Sequence, residues 1–436
     1  MGGAERLASL TSSRAEYMTM WLRTTWDSRP AADAPSYERH VDLRDYATRR
    51  WRNTRYFVPG TMSIADVVND TIGARTQPAR TGGNETVPLN VTYVDERREL
   101  FAFAPERTLL LARAARDLRA LPDTTIDGQR HRRVRATVEG FVATYYLRDA
   151  DKLPARVHYR ADATNDFGLA QWEVHDIDVW YGNWIRVAPG VLVPRQRDVY
   201  RVGRPYKRMT ALTLAFNVPA PADSFSIADT VAQRFLATEQ RPMWKVSLDS
   251  AQITAEHFAS FPRFIGSVGA LRVGGQWVLI ETAQHRGAVD LVDQWLRARG
   301  ESGVRAGVVA RPFSGNGGAR WFAAGKGRLY AAPGALAPLR AMNAAQPTTT
   351  TFVSGARWVR IGSDSLYMEP VDFADGNGAM VLYSPTHRWF YSPFMGVPQH
   401  QAQHDALMAR YRARGWPIEW VGSVVGLRAP APAVSK

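Results

Sequence analysis

The residues with the best claim to chemistry lie between Val304 and Leu329, in the run VRAGVVARPFSGNGGARWFAAGKGRL. An apolar stretch, Val304 to Val309, reads as a buried strand. A loop rich in Gly and Ser follows, and then a short helix carrying Trp321 and Phe322. Ser314 sits in that loop ahead of the helix, where a nucleophile could stand. The loop is not a Gly-x-Ser-x-Gly elbow, and no His or acid lies nearby in sequence. The stretch from Ser314 to Gly318 presents backbone N–H groups toward the start of the helix, with Arg311 and Arg320 beside it. Such a loop suits an anion. On that reading Arg311, Asn316 and Gly317 are ligand-binding residues, with Phe394 beside them. The alternative is a turn kept only for its backbone geometry.

Other candidates are weaker. His400 and His404 stand four apart, a spacing that suits a metal on a helix, but no Glu accompanies them in His-Glu-x-x-His form. They are expected on a solvent-exposed helix face. His285 and His387 are expected at the surface. Aromatic residues are expected to crowd one cleft beside the Gly-rich loop: Trp321, Phe322, Phe373, Trp389, Phe390, Tyr391 and Phe394. They either fill a site or line a pocket for an apolar ligand.

Composition bounds the rest. A chain of 436 residues with 45% hydrophobic content supports two domains with packed cores. The absence of Cys excludes disulfides, Cys-based zinc sites and thiol nucleophiles. The net charge of +14 is carried by 55 basic residues that are nearly all Arg. The run Arg130 to Arg135 alternates charge with Val134, as an exposed strand face does, and no nucleic-acid partner is expected. No apolar run reaches the roughly 18 residues of a membrane span. The opening Met1-Gly2-Gly3-Ala4-Glu5 carries no apolar h-region. Export to the periplasm or exterior is expected, with its signal outside this sequence.

Residues 4 to 25 read as helical, with Leu7, Leu10, Met18, Trp21 and Leu22 near helical spacing. Asp42 to Phe57 reads as extended. Ser63 reads as the cap of a short helix, with Asp66 at the third position. Pro105 opens a helix at the position where a missing N–H costs nothing. From Gly128 the period switches to two, and strands at His131–Ala136, Phe141–Arg148, Arg156–Arg160, Gln171–Tyr181, Val199–Val202 and Thr210–Val218 predict an antiparallel meander. Ile227 to Thr238 reads as a short helix, and Gln240-Arg241-Pro242 as a linker.

Beyond it, hairpins are expected at Ala270–Glu281 and Ala379–Ser392. Gly287 to Arg299 reads as an amphipathic helix, with Ala288, Leu291, Val292, Trp295 and Leu296 on one face. A helix from Gln401 to Arg414 and a strand from Ile418 to Val421 complete the series. Strand, helix, strand, loop, helix, strand is a βαβ progression.

The block GQRHRRVRATVEGFVATYYLRDADKLPARVHYR and the strands after it resemble the half-barrel of bacterial lipoprotein carriers of the LolA type. The order over residues 250 to 428 resembles the metallo-β-lactamase fold. Its framework is present: Val278-Leu279-Ile280-Glu281 for the strand that ends in an acid, and Gly317-Gly318-Ala319-Arg320 after the metal loop. In that family the loop holds His-x-His-x-Asp-His and grips zinc. Here the two His fall on Ala310 and Pro312, the Asp on Ser314 and the next His on Gly315. A shift of one puts Arg311, Phe313, Gly315 and Asn316 there instead. The later ligands fall on Asp375, on or near Phe394, and on Val425.

Catalytic zinc takes three or more His or carboxylate ligands at about 2 Å, which neither register supplies. The resemblance therefore implies an α+β protein: residues 1–242 an N-terminal antiparallel β half-barrel with helices, and residues 243–436 a C-terminal αββα metallo-β-lactamase-like sandwich. No catalytic metal or other cofactor is expected. The implied function is a pseudoenzyme that binds a small apolar or anionic ligand or a protein partner, with membrane-surface or lipid association as a further partner class. The alternatives are a hydrolase with a non-standard site around Ser314, Asp375, Asn316 and Arg311, and a carrier of apolar ligands through the half-barrel.

Overall fold

The structure, a computed structural model, describes residues 1–22, 35–60, 62–79, 81–89, 91–164, 170–188, 190–221, 223–238, 242, 244–255, 257–261, 268–311, 316–373, 378–393, 395, 400–423 and 426–431. These residues form two compact units. The first holds the chain up to residue 238, except for 163–173. Those residues belong with the C-terminal part, from 242 onward, in the second unit.

In the first unit, strands β1 to β6 (Ser12–Trp21, Ser36–Asp45, Arg50–Val58, Ser63–Asn69, Ile72–Pro78, Asn84–Pro88) form one meander. Strands β7 to β13 (Arg119–Ile126, Gln129–Val138, Phe141–Arg148, Pro154–Asp162, Val174–Ala188, Val191–Arg201, Arg204–Phe216) form a second. Pairing of β1 with β13 joins them into a thirteen-stranded antiparallel sheet. The expected meander from Gly128 is present. Two expected helices are strands instead. Only Ala4–Ala8 of the first is helical, and Ser12–Trp21 buries Ala15, Tyr17 and Thr19 at period two. The segment after Ser63 pairs on both sides, with β3 and β5. In both places long-range pairing overrides local propensity. The expected linker lies outside the described residues, apart from Pro242.

One face of this sheet changes character along its width. Across β8 to β11 it is apolar: Ala136, Tyr145, Val157, Tyr159, Ile177 and Val179 pack against Phe103 and Ala112. Phe103 sits between the helices Val91–Ala102 and Pro105–Ala114, and its ring stacks on Tyr159 at 4.0 Å. Across β2 the buried positions are Glu38, His40, Asp42 and Arg44. Four successive inward-facing polar side chains are tolerable only if they are paired. They are: Glu38 meets His40 at 3.0 Å, and Arg44 donates to Asp42 at 2.7 Å. Arg44 also donates to the carbonyl of Leu100, near a helix C-terminus, at 2.8 Å.

The second unit has two sheets. The first runs β14 (Gln252–Ile253), β15 (Phe258–Phe261), β16 (Val268–Val273), β17 (Gln276–Ile280), β18 (Val304–Val309), β19 (Arg328–Ala331) and β20 (Thr350–Phe352) in spatial order. It is antiparallel up to β17 and parallel from there. The second runs β21 (Arg357–Ile361), β22 (Asp364–Val371), β23 (Ala379–Ser384), β24 (Trp389–Tyr391), β25 (Trp420–Ser423) and β26 (Gly426–Pro430).

Alternate residues of both sheets share one core: Leu271, Val278, Ile280 and Val308 meet Ile361, Leu366, Met380, Leu382, Trp389 and Tyr391. The opposite face of the second sheet, with Val381, Tyr383 and Phe390, packs under Leu407, Met408 and Tyr411 of the helix Gln401–Ala413. The opposite face of the first takes the Phe322 ring into the space beside Gly307, where a Cβ would lie 2.5 Å from it. Two of the parallel pairs, β17 with β18 and β24 with β25, are bridged by the long helices Arg286–Arg297 and Gln401–Ala413, the usual crossover for parallel strands. The protein is thus mixed α and β and dominated by sheet. Among the described residues no helix is long and apolar enough to cross a membrane.

Candidate functional site

Strands β17 and β18 run parallel, so their C-terminal ends lie side by side. Ligands in open α/β sheets settle at such ends. The chain leaves β17 as Glu281-Thr282-Ala283-Gln284-His285, all buried, with positive φ at Glu281 and Ala283. It leaves β18 through Ala310 and Arg311, and the next described residue is Asn316.

Asn316 clasps the two exits together. Its Oδ1 accepts the Thr282 N–H at 3.1 Å, and the Thr282 hydroxyl donates to its backbone carbonyl at 3.1 Å. The glycines that follow are pressed against neighbours. A Cβ on Gly317 would lie 2.2 Å from the Gln284 carbonyl oxygen and 2.6 Å from the Gln171 Cα; on Gly318 it would lie 1.7 Å from the Thr282 oxygen.

The segment ending at Glu173 lies on this loop. The Glu173 carboxylate receives Arg320 on one oxygen at 2.9 Å and Arg286 on the other at 3.1 Å, with His285 Nε2 at 3.6 Å. Arg320 also donates to the Trp172 carbonyl at 3.3 Å. His285 is buried rather than superficial. Its Nδ1 accepts the Gly287 N–H at 2.9 Å, capping the helix Arg286–Arg297, and its ring stacks on Trp244 at 4.6 Å. With Nδ1 accepting, the ring proton belongs on Nε2, facing Glu173.

A second polar group lies at the β17 exit. Glu281 is fully buried, accepts the Tyr391 hydroxyl at 3.2 Å, and stands 4.0 Å from Arg311 Nε. Burial pushes the Glu281 carboxyl above its ordinary range, against the opposing pull of Arg311 and its hydrogen bonds. Burial, with Glu281 beside it, holds the Tyr391 phenol well above its own.

A carboxyl whose pKa rises on folding binds its proton more tightly in the native state. Its stabilising contribution is present below the unfolded value, near 4.5, and is lost as pH climbs through the raised folded value. Glu281→Gln keeps an acceptor for Tyr391 and cannot ionise. It is therefore expected to melt above the parent at about pH 7.5, with the gap closing toward pH 4. A gap that does not change with pH in paired melting curves would refute this assignment of the charge.

The sequence-derived candidates fare unequally. Arg311, Asn316 and Gly317 are brought to one place, but Asn316 is spent on Thr282 and Arg311 faces Glu281. Ser314, Asp375 and Phe394 lie outside the described residues, as do Pro312, Phe313, Gly315 and Val425. His400 and His404 are not on an exposed face. Both are buried, because the helix that carries them packs onto the second sheet. His404 Nδ1 shares a hydrogen bond of 2.9 Å with the buried Ser392, and Phe373 packs on both rings.

The aromatics do not share one cleft. Trp389 and Tyr391 belong to the core between the sheets, Phe373 and Phe390 to the core under the last helix. Glu173 was missed altogether, since nothing near it in sequence points to a loop more than a hundred residues on. Glu281 had a signal, an acid closing an apolar strand. Among the described residues no three His, Asp or Glu side chains gather as a metal site.

No family model matches the sequence, and no curated protein matches it either. Solved structures are similar to parts of it. A domain assigned as an outer membrane lipoprotein-sorting protein from Vibrio parahaemolyticus aligns with 49% of this chain and 88% of its own, at 8% identity and a TM-score of 0.31. The DIM-1 metallo-β-lactamase aligns with 41% of this chain and 90% of its own, at 11% identity and a TM-score of 0.32. The inverting sec-alkylsulfatase Pisa1 from Pseudomonas sp. aligns with 41% of this chain and 38% of its own, at 12% identity and a TM-score of 0.32.

Proposed function

We propose that the chain is an exported bacterial protein of two domains, residues 1–242 a LolA-like half-barrel and residues 243–436 a metal-free αββα sandwich of metallo-β-lactamase type. The second domain acts as a non-catalytic binding or assembly module. One observation carries this reading: the glycines that follow the loop where the resemblance puts zinc are packed against the protein's own backbone at Gln171, Thr282 and Gln284. The Glu173 carboxylate lies against Arg320 and Arg286, the cations an anionic ligand would use. Of the positions onto which the resemblance maps the loop's zinc ligands, those described, Ala310, Arg311 and Asn316, carry no side chain that ligates zinc well. A loop held in this way keeps the framework of the fold and gives up the open coordination position that hydrolysis needs.

The test is metal content. Full-length protein purified without chelator, exposed to zinc and dialysed, is expected to retain well under one equivalent by mass spectrometry. Stoichiometric zinc would overturn the reading and move the search to the segments around Asp375 and Ser314.

A further inference from the structure

The geometry points to a binding site for a small carboxylate in the first unit, gripped by the buried guanidinium of Arg197. This is independent of the reading offered for the second domain. Arg197 lies on β12, and only 5% of it is exposed. Its guanidinium carbon lies 4.9 Å from the centre of the Tyr17 ring, yet its Nη2 is buried without a hydrogen-bond partner among the described residues. A buried cation without an anion is costly, and proteins place one where something else completes the pairing. The carboxylate that feels its charge is Asp42. The Asp42 oxygens are already engaged, by Arg44 Nε at 2.7 Å and by the Trp51 indole N–H at 2.9 Å.

Arg197 lines a cavity of about 40 Å³ together with Arg201 and Lys207. Glu99 is the one acid in that lining. It is committed to Arg201 at 3.1 Å and to the Tyr159 hydroxyl at 2.7 Å. The lining as a whole is therefore positive. Strand register adds a second orphan. Arg197 pairs across to Met209, and Met209 to Thr19. The Thr19 hydroxyl is fully buried and makes no hydrogen bond among the described residues.

The remaining wall is apolar, with Leu100, Phe103, Val199 and Met209 in it. A water needs roughly 10–15 Å³ on this measure, so the space suits a carboxylate head with a short apolar tail. Phe103 and Tyr159, which also line it, stack on each other at 4.0 Å.

The test is calorimetric titration of the full-length protein with acetate and with butyrate, at fixed chloride. Saturable binding is expected, tighter for butyrate than for acetate, and butyrate should raise the melting midpoint by several degrees. Arg197→Met keeps the bulk over Tyr17 and removes the charge. It should weaken butyrate at least tenfold and abolish the melting shift. Lys207→Gln, at the same cavity, should weaken it severalfold if the first variant does not fold. Arg160→Met, on a largely exposed side chain, should change nothing. The proposal is overturned if the parent shows no saturable binding, or if Arg197→Met or Lys207→Gln binds butyrate as the parent does. It is also overturned if inorganic phosphate or chloride occupies the site in place of butyrate.

Discussion

Gly318→Ala is expected to destabilise the second unit by about 4 kcal/mol or more, at the upper end of single-substitution effects. The backbone there has φ −58°, which alanine adopts freely, so conformational strain is not the cause. The cause is volume. The added Cβ would lie 1.7 Å from the Thr282 carbonyl oxygen and 2.8 Å from Val289 Cγ2. Neither can retreat easily. Thr282 is clasped by Asn316 from both its N–H and its hydroxyl. The Gly318 N–H is itself bound to the Ala283 carbonyl at 3.0 Å.

A comparison isolates the steric effect. Gly275 has φ +80°, and a Cβ added there would meet nothing within 4 Å. Its replacement by Ala therefore costs only about 1 kcal/mol of left-handed strain. Urea unfolding of both variants decides the matter, and equal stability of the two would mean the Thr282–Gly318 contact is loose in solution.

Glu173→Ala should cost about 2–4 kcal/mol, a little under the roughly 3–5 kcal/mol for removing one partner of a fully buried ion pair, because Arg286 is largely exposed. Its carboxylate is 12% exposed, whereas Arg320 is 19% and Arg286 57% exposed. Arg320 is therefore left the worse off, and Arg286 turns to water. Emptied of its internal anion, the loop becomes an external anion site. Inorganic phosphate, added at constant ionic strength, should raise the melting midpoint of Glu173→Ala by several degrees and leave the parent where it was. Glu173→Gln keeps the shape and should fall between the two. If phosphate shifts the parent and the variant alike, Glu173 is not what blocks the loop.

The pattern of what was legible follows the range of the interactions. The helices at Pro105–Ala114 and Arg286–Arg297 were visible because the proline that opens the first and the apolar stripe of the second are local signals. The meander from Gln129 to Phe216 was visible because period two and turn residues recur along it. Ser12–Trp21 was misread because Leu7, Leu10 and Met18 mimic a helical stripe, while its partners lie at Ser36–Asp45 and Arg204–Phe216. The burial of His400 and His404 was misread for a related reason. Polar residues at a helix start look solvated until the sheet beneath them is in place.

The amino-acid order alone settles the meander from Gln129 to Phe216, the glycine pair after β18, and the lack of His and carboxylate side chains in the loop before it, since each is a matter of residue type and neighbours. Only the tertiary structure decides which charges are inside. Glu38, His40, Asp42 and Arg44 alternate along β2 as an exposed face would, and they are buried because the helix end at Leu100 and the strands on either side give them partners. Glu173 gains its place in the same way, from Arg286 and Arg320 brought close by the fold and held strongly by the low dielectric around them.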